Sequence, residues 1–323
     1  MRLGWGGKCL IGLALACAAA AAAAQTYPLR PIRLLVGFTP GGGVDINARM
    51  LAGKLAEILG QSVIVENRPG AGTNIANELV AKAAPDGYTL LINTAAVAIN
   101  MALYKNVPFD TLRDFAPVSV FSESQNIMVT GAAKPYRSAA EVVAAARARP
   151  GALTYGSAGS GSTQHLAGEL FKQQTRTELL HVPYKGSAPA STALISGEVD
   201  LLFINVPAIL PQVKAGRLRA LAAAGAKRSA LMPEVPTLRE AGINGVEVVV
   251  WYGVLAPSGT PRHIVTLLAA AIAKAARSPD IRQKLQEQGA EPVGNTPEEF
   301  TDLLREEVVR WRTVIFAAGL KAE

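Results

Sequence analysis

Between Leu34 and Asp45 the chain reads LLVGFTPGGGVD, an apolar strand-like run that passes through three glycines straight into a helical pattern. A strand that feeds a helix through so short a turn belongs to an α/β fold. Glycines let the backbone turn tightly and approach a ligand, and the first amides of the next helix have no intrahelical partner. Together with the helix dipole they favour a carboxylate or a phosphate. Gly41-Gly42-Gly43 is followed by Val44-Asp45, where a phosphate loop has Gly-Lys-Ser/Thr. The spacing also misses the dinucleotide fingerprint, so the run is either an anion cradle or only a tight strand-to-helix turn.

The start of the chain sets the compartment. Arg2 and Lys8 precede the apolar run from Cys9 to Ala24, whose end suits an A-x-A cleavage site before Gln25. Residues 1–24 therefore read as a cleaved secretory signal peptide. Acylation of Cys17 is the alternative, disfavoured because Leu15 sits one place away from where a lipobox wants it. Both cysteines, Cys9 and Cys17, lie in the leader, so the exported chain carries no disulfide or thiolate metal site. Of 323 residues, 299 remain after cleavage, and the formal charge falls from +7 to +5 with the loss of Arg2 and Lys8. That mild excess suits anionic solutes. No Lys/Arg cluster interleaved with aromatics appears, which argues against nucleic acid.

Short apolar strands alternate with amphipathic helices almost to the end, and the length calls for two lobes. Ile32–Phe38, Ser62–Glu66 and Tyr88–Asn93 read as strands of the first lobe. The helix after the glycines is expected to bury Ile46, Met50, Leu51, Leu55 and Ile58, and the next helix Ile75, Leu79 and Val80. A second glycine turn, NRPGAGTN, covers Asn67–Asn74. Thr94-Ala95-Ala96 leaves the third strand as a turn of small residues, where a ligand can approach at Thr94. Phe115–Thr130 is strand-like without a full helix and marks the first crossing between lobes. Val246–Ala256 marks the return, which gives lobe 1 residues 25–125 and 250–323, and lobe 2 residues 126–249. Capping boxes are predicted at Ser138/Glu141 and Thr296/Glu299.

The second lobe holds the counterpart of the opening stretch, TYGSAGSGSTQH from Thr154 to His165. Amides and the hydroxyls of Ser157, Ser160, Ser162 and Thr163 gather at one helix N-terminus, and such neutral donors can hold a carboxylate. A G-x-S-x-G elbow is absent in every register, which argues against a serine hydrolase of that type. His165, His181 and His263 share no ligand spacing, so no metal site is expected. His165 reads as a ligand donor or a packed histidine, Asn205 as a site residue or a helix cap, Lys185 as a ligand-facing cation or a solvated charge. Trp251 and Tyr252 lie on the return crossing, near the cleft or in the core.

The runs YPLRPIRLLVGFTPGGGVD, VENRPGAGTNI, PDGYTLL, LTYGSAGSGSTQHLAGELF, HVPYKGSAPA and WYGVLAPSGTP together resemble those of the periplasmic solute receptors of tripartite tricarboxylate transporters, the Bug receptors. The resemblance covers essentially the whole exported chain. It implies a type II-like Venus-flytrap of two α/β lobes, each with a mostly parallel central sheet. It also implies a monomeric, non-enzymatic periplasmic receptor that carries a small organic carboxylate to a membrane permease, with no cofactor. By resemblance, Phe38, Thr39, Gly42 and Asp45 of one loop and Ser157, Ala158, Ser162 and Thr163 of the other clasp the carboxylate, partly through water. Many relatives carry aspartate where this chain has Ile204. If that aspartate meets an amino group, its loss points to a non-aminated or aromatic acid. A secreted enzyme acting on a small organic acid, or a receptor turned to sensing, is the alternative reading.

Overall fold

The computed structural model describes residues 27–317 and 319–320. The leader, with Cys9 and Cys17, and the expected first exported residue Gln25 lie outside the described residues.

The first lobe opens with β1 (Ile32–Val36), α1 (Gly43–Leu59), β2 (Val63–Asn67), α2 (Asn74–Ala81), β3 (Thr89–Asn93) and α3 (Ala96–Leu103). A 17-residue strand, β4 (Phe115–Gly131), then leaves it. The second lobe follows as α4 (Ala139–Ala148), β5 (Leu153–Ser157), α5 (Thr163–Thr175), β6 (Leu179–Pro183), α6 (Ser187–Ser196), β7 (Leu201–Asn205), α7 (Val206–Lys214) and β8 (Leu218–Ala223). Strand β9 (Val249–Pro257) returns the chain to helices α8 (Arg262–Arg277), α9 (Pro279–Glu287) and α10 (Pro297–Ala317), with the short β10 (Glu291–Pro292) before the last.

The strands run β2-β1-β3-β9-β4-β7-β5-β6, with β8 and β10 also on β4. In each half a parallel set, β2-β1-β3 or β7-β5-β6, is joined to the antiparallel crossing strands. Residues 115–125 of β4 pair with β9, while residues 126–131 pair with β7 and β8. One strand thus serves both sheets, and its partner changes between Gln125 and Asn126.

Helix α1 stops where Gly60, at φ +67, gives its N–H to the Ala56 carbonyl. Its buried stripe is Val44, Ala48, Leu51 and Leu55, packed with β1 and with Ile264, Leu268 and Ile272 of α8. Ile46, Met50 and Ile58 are only partly buried, because the stripe is turned toward the small residues Ala48 and Ala52. The correction at α2 is larger: Ile75 and Leu79 are 45% and 47% exposed, and the helix buries Asn74, Ala76, Asn77 and Val80 instead. That face meets a polar network in which Asn93 donates to Asn77, and Asn100 donates to Asn74. A cap forms at both predicted places, but the box is reciprocal only at Thr296, because Glu141 takes the Arg137 amide in place of that of Ser138. The Ser138 hydroxyl accepts the Glu141 amide at 3.2 Å, and Thr296 and Glu299 exchange reciprocal bonds.

Candidate functional site

The site is built where the glycine turns of the two lobes meet. Gly41 has φ +82, which a side chain resists. Gly43 starts α1 so close to the second lobe that an added Cβ would lie 1.9 Å from Asn205 Nδ2. No side chain caps α1, so its leading N–H groups remain available to a ligand.

Asp45 stabilises this turn from behind. Its carboxylate accepts from Gly41 N at 3.0 Å, Asn67 Nδ2 at 2.9 Å and Arg49 Nε at 3.0 Å. Burial opposes its ionisation, but those bonds outweigh burial and hold its pKa below the ordinary carboxylate value. Its charge is therefore neutralised inside lobe 1, away from any anion in the cleft. Asn67 also donates to the Phe38 carbonyl at 3.0 Å, fixing both ends of the turn.

The Ser157–Thr163 turn is held equally firmly. Ser162 caps α5 by accepting the His165 amide at 3.2 Å. Ser157 Oγ lies 2.7 Å from His181 Nε2 and accepts the Gly159 amide at 3.1 Å. Gln164 links the turn to α6, accepting the Ala158 amide at 2.8 Å and donating to Ser187 Oγ at 2.7 Å. The Gly161 amide donates to His165 Nδ1 at 3.3 Å. Beneath the turn, His181 stacks between His165 and Tyr155, and Tyr155 donates to Glu169, which also takes Lys172.

Between the two turns lies a cavity of about 20 Å³ lined by Phe38, Gly42, Gly43, Val44, Thr94, Ala158, Ser162, Thr163, Gln164, Ser187, Asn205 and Val250. That is room for about one water molecule, so the lobes are closed on each other. Thr39 N donates to Lys185 O at 3.2 Å and Tyr104 Oη to Ser160 O at 3.1 Å, both across the cleft. Ala158 joins the apolar cluster of Phe38, Val44 and Val250. No ionisable side chain lines the wall, and among the described residues no three His, Cys, Asp or Glu could hold a metal.

The structure brings Phe38, Gly42, Thr94, Ala158, Ser162, Thr163 and Asn205 to one cavity wall, and leaves Thr39, Asp45, Ser157 and His165 outside it. The last three are tied into the supports just described; Thr39 spans the cleft through its backbone. Lys185 is exposed and contributes a carbonyl across the cleft rather than a cation. Trp251 packs edge-on against Phe300 in the core, whereas Tyr252 reaches Asn205. Ile204 is buried with Ile127, Val129 and Leu194 and takes no part in the wall. Ile204 itself therefore presents no group to the cavity.

Gly43 and Val44 line the cavity from within the opening glycine stretch, and Gln164, Ser187 and Val250 line it without having been named as site residues in the sequence. Ser187 had a local signal, the glycine turn of KGS before a helix. Gln164 had none, since its role comes from bridging two helix starts. The second glycine turn, NRPGAGTN, faces the other lobe. A Cβ on Gly72 would lie 2.4 Å from the Ser160 carbonyl, and Thr73 is held at φ +83 while its hydroxyl accepts from Asn77 and Asn93.

Comparison with known proteins agrees with this architecture. The chain is 41% identical, over 98% of its length and 95% of the relative's, to a protein of the tcbD-tcbE intergenic region of Pseudomonas sp.. The structure of R. palustris Rpa4515 with adipate superposes with a TM-score of 0.88 at 41% identity, covering 91% of this chain and 99% of that one. MatC from Rhodopseudomonas palustris with bound malate gives 0.86 at 32% identity, with coverage of 90% and 100%. The profile of the tripartite tricarboxylate transporter family receptors matches residues 47–320. The chain belongs to that family of periplasmic solute receptors.

Proposed function

We propose that this chain is exported to the periplasm, loses residues 1–24, and binds a small organic carboxylate between its lobes for delivery to a tripartite tricarboxylate-type permease. The observation that carries this reading is the wall itself: helix-start amides, hydroxyls and carboxamides from both lobes converge on one cavity with no ionisable side chain. Neutral donors suffice, because a hydrogen bond to a charged group contributes about 1.5–3 kcal/mol and micromolar affinity requires only about −8 kcal/mol. An ammonium group would find no carboxylate in that wall, which favours a non-aminated acid over an amino acid. Relatives solved with adipate and malate lend the same support.

The lobes proposed are residues 25–125 with 250–323, and 126–249, following the change of partner along β4. The protein acts as a monomer and without catalysis: the side-chain contact of Ser157 with His181 lies beneath the turn and outside the cavity.

A thermal-shift panel containing adipate, malate, benzoate, glutamate and aspartate tests the reading. At least one non-aminated acid should raise the melting temperature without being consumed, since a ligand at a hundred times its Kd stabilises by about 2.7 kcal/mol. A panel in which only amino acids stabilise, or in which an acid is turned over, would sink it.

A further inference from the structure

Asn205 ends β7 and occupies the N-cap position of α7, yet its side chain makes no cap bond. Asparagine is among the favoured caps, so something else holds it. Its Nδ2 donates to Tyr252 Oη at 2.6 Å, with both residues buried. Tyr252 stands on β9, paired to β4 in the first lobe's sheet, so the bond joins the two lobes.

In that arrangement two polar groups are left over. Asn205 Oδ1 is buried without a donor, and the Tyr252 hydroxyl has no acceptor among the described residues. Each orphaned buried group carries a desolvation cost. A half-turn of the carboxamide exchanges oxygen and nitrogen with almost no change of shape. Tyr252 then donates to the carboxamide oxygen, and the Asn205 N–H groups are freed from Tyr252 on a residue that lines the cavity. Burial raises the Tyr252 pKa, which keeps the hydroxyl protonated and able to donate.

We infer that Tyr252 is a positioning residue: by donating to the Asn205 carboxamide oxygen across the lobes, it commits the Asn205 N–H to the carboxylate bound at the start of α1. The inference rests on the carboxylate reading of the cavity. An added Cβ on Gly43 would lie within 2.9 Å of Tyr252 Oη as well as 1.9 Å from Asn205 Nδ2, so the pair sits directly on that helix start. Donors from the first lobe's glycine turn and from the end of β7 then converge on one anion.

The test is calorimetric titration of the full chain with whichever of adipate, malate or benzoate the wild type holds most tightly. The variants are Tyr252→Phe, Asn205→Ala, Asn205→Asp and the double variant Tyr252→Phe/Asn205→Ala, with ligand-free melting curves as the folding control. Tyr252→Phe should weaken binding about tenfold, the loss of one oriented hydrogen bond. Asn205→Asp, the same shape without the N–H and with a negative charge, should weaken it at least about a hundredfold. In the Asn205→Ala background, Tyr252→Phe should cost nothing further, because it acts only through that side chain. A purely structural tyrosine would cost the same in both backgrounds, and that result overturns the inference. So does an Asn205→Asp variant that binds like the wild type. A wild type that binds none of the three acids overturns the carboxylate reading itself, a separate failure.

Discussion

The His165 ring lies 4.1 Å from the His181 ring and inclined to it by only 23°, while its Nδ1 accepts the Gly161 amide. Two imidazoles in that arrangement must both stay neutral. Burial lowers the His165 pKa to about 4, assisted by the charge of Lys172. Burial lowers that of His181 to about 3, with His165 and Lys172 acting in the same direction and Glu169 against them. Tyr155 covers the other face of His181 as a neutral phenol. The unfolded chain takes up protons on these histidines below about pH 6.5, whereas the folded chain does so only near pH 4 and below. Stability from this pair is therefore complete above about pH 6.5 and declines as pH falls toward 4, by up to about 1.4 kcal/mol per pH unit for each histidine. Melting curves at pH 7, 5.5 and 4.5 should show that slope, and His165→Gln should flatten it. An unchanged slope in the variant would remove the histidine pair as its source.

Gly43→Ala separates folding from binding. Alanine is the better helix former by about 0.5–1 kcal/mol, so the melting temperature of the free protein should hold or rise. The added methyl occupies the space of the Asn205 carboxamide, so the lobes cannot close fully. Calorimetry should show affinity reduced more than tenfold, and small-angle scattering a larger radius of gyration with ligand present than for the wild type.

Asp45→Ala leaves the Gly41 amide, Asn67 and Arg49 without their shared acceptor. The expected cost is about 1–3 kcal/mol in unfolding free energy, together with weaker ligand binding as the turn loosens. Above the carboxylate range Asp45 contributes fully, and its contribution fades as pH falls through its lowered pKa. Asp45→Asn, which keeps the shape, should lose less than Asp45→Ala in denaturant titrations.

Leu51→Ala, in the fully buried stripe of α1, should cost about 2–5 kcal/mol. Ile75→Ala, at a side chain 45% exposed, should change stability by about 0.5 kcal/mol or less. Urea unfolding of the two variants compares a buried face with one that only looks buried in the sequence.

That contrast shows what the sequence can carry. Ser138 with Glu141 and Thr296 with Glu299 are legible because a helix cap and the amide it takes lie within four residues. The turn at Gly41 is legible for the same reason. Helix α2 departs from its pattern at Ile75 and Leu79, which face out while Val80 is buried, because its asparagines answer to Asn93 and Asn100 on other elements. Asp45 reads in sequence as a charge beside an anion site, and only the fold supplies Asn67, eighteen residues past Arg49, to turn it inward. Gln164 and Tyr252 acquire their roles from partners across a helix start or across the cleft, which no local spacing records.

Because β4 runs unbroken from Phe115 to Gly131 and changes partner from β9 to β7 and β8 between Gln125 and Asn126, the passage between the lobes contains one continuous strand and not only loose tethers. Its first part is fixed in a sheet by β9 and β10 and its last part by β7 and β8. Relative movement of the lobes along this strand is therefore concentrated at the few residues around that change of partner.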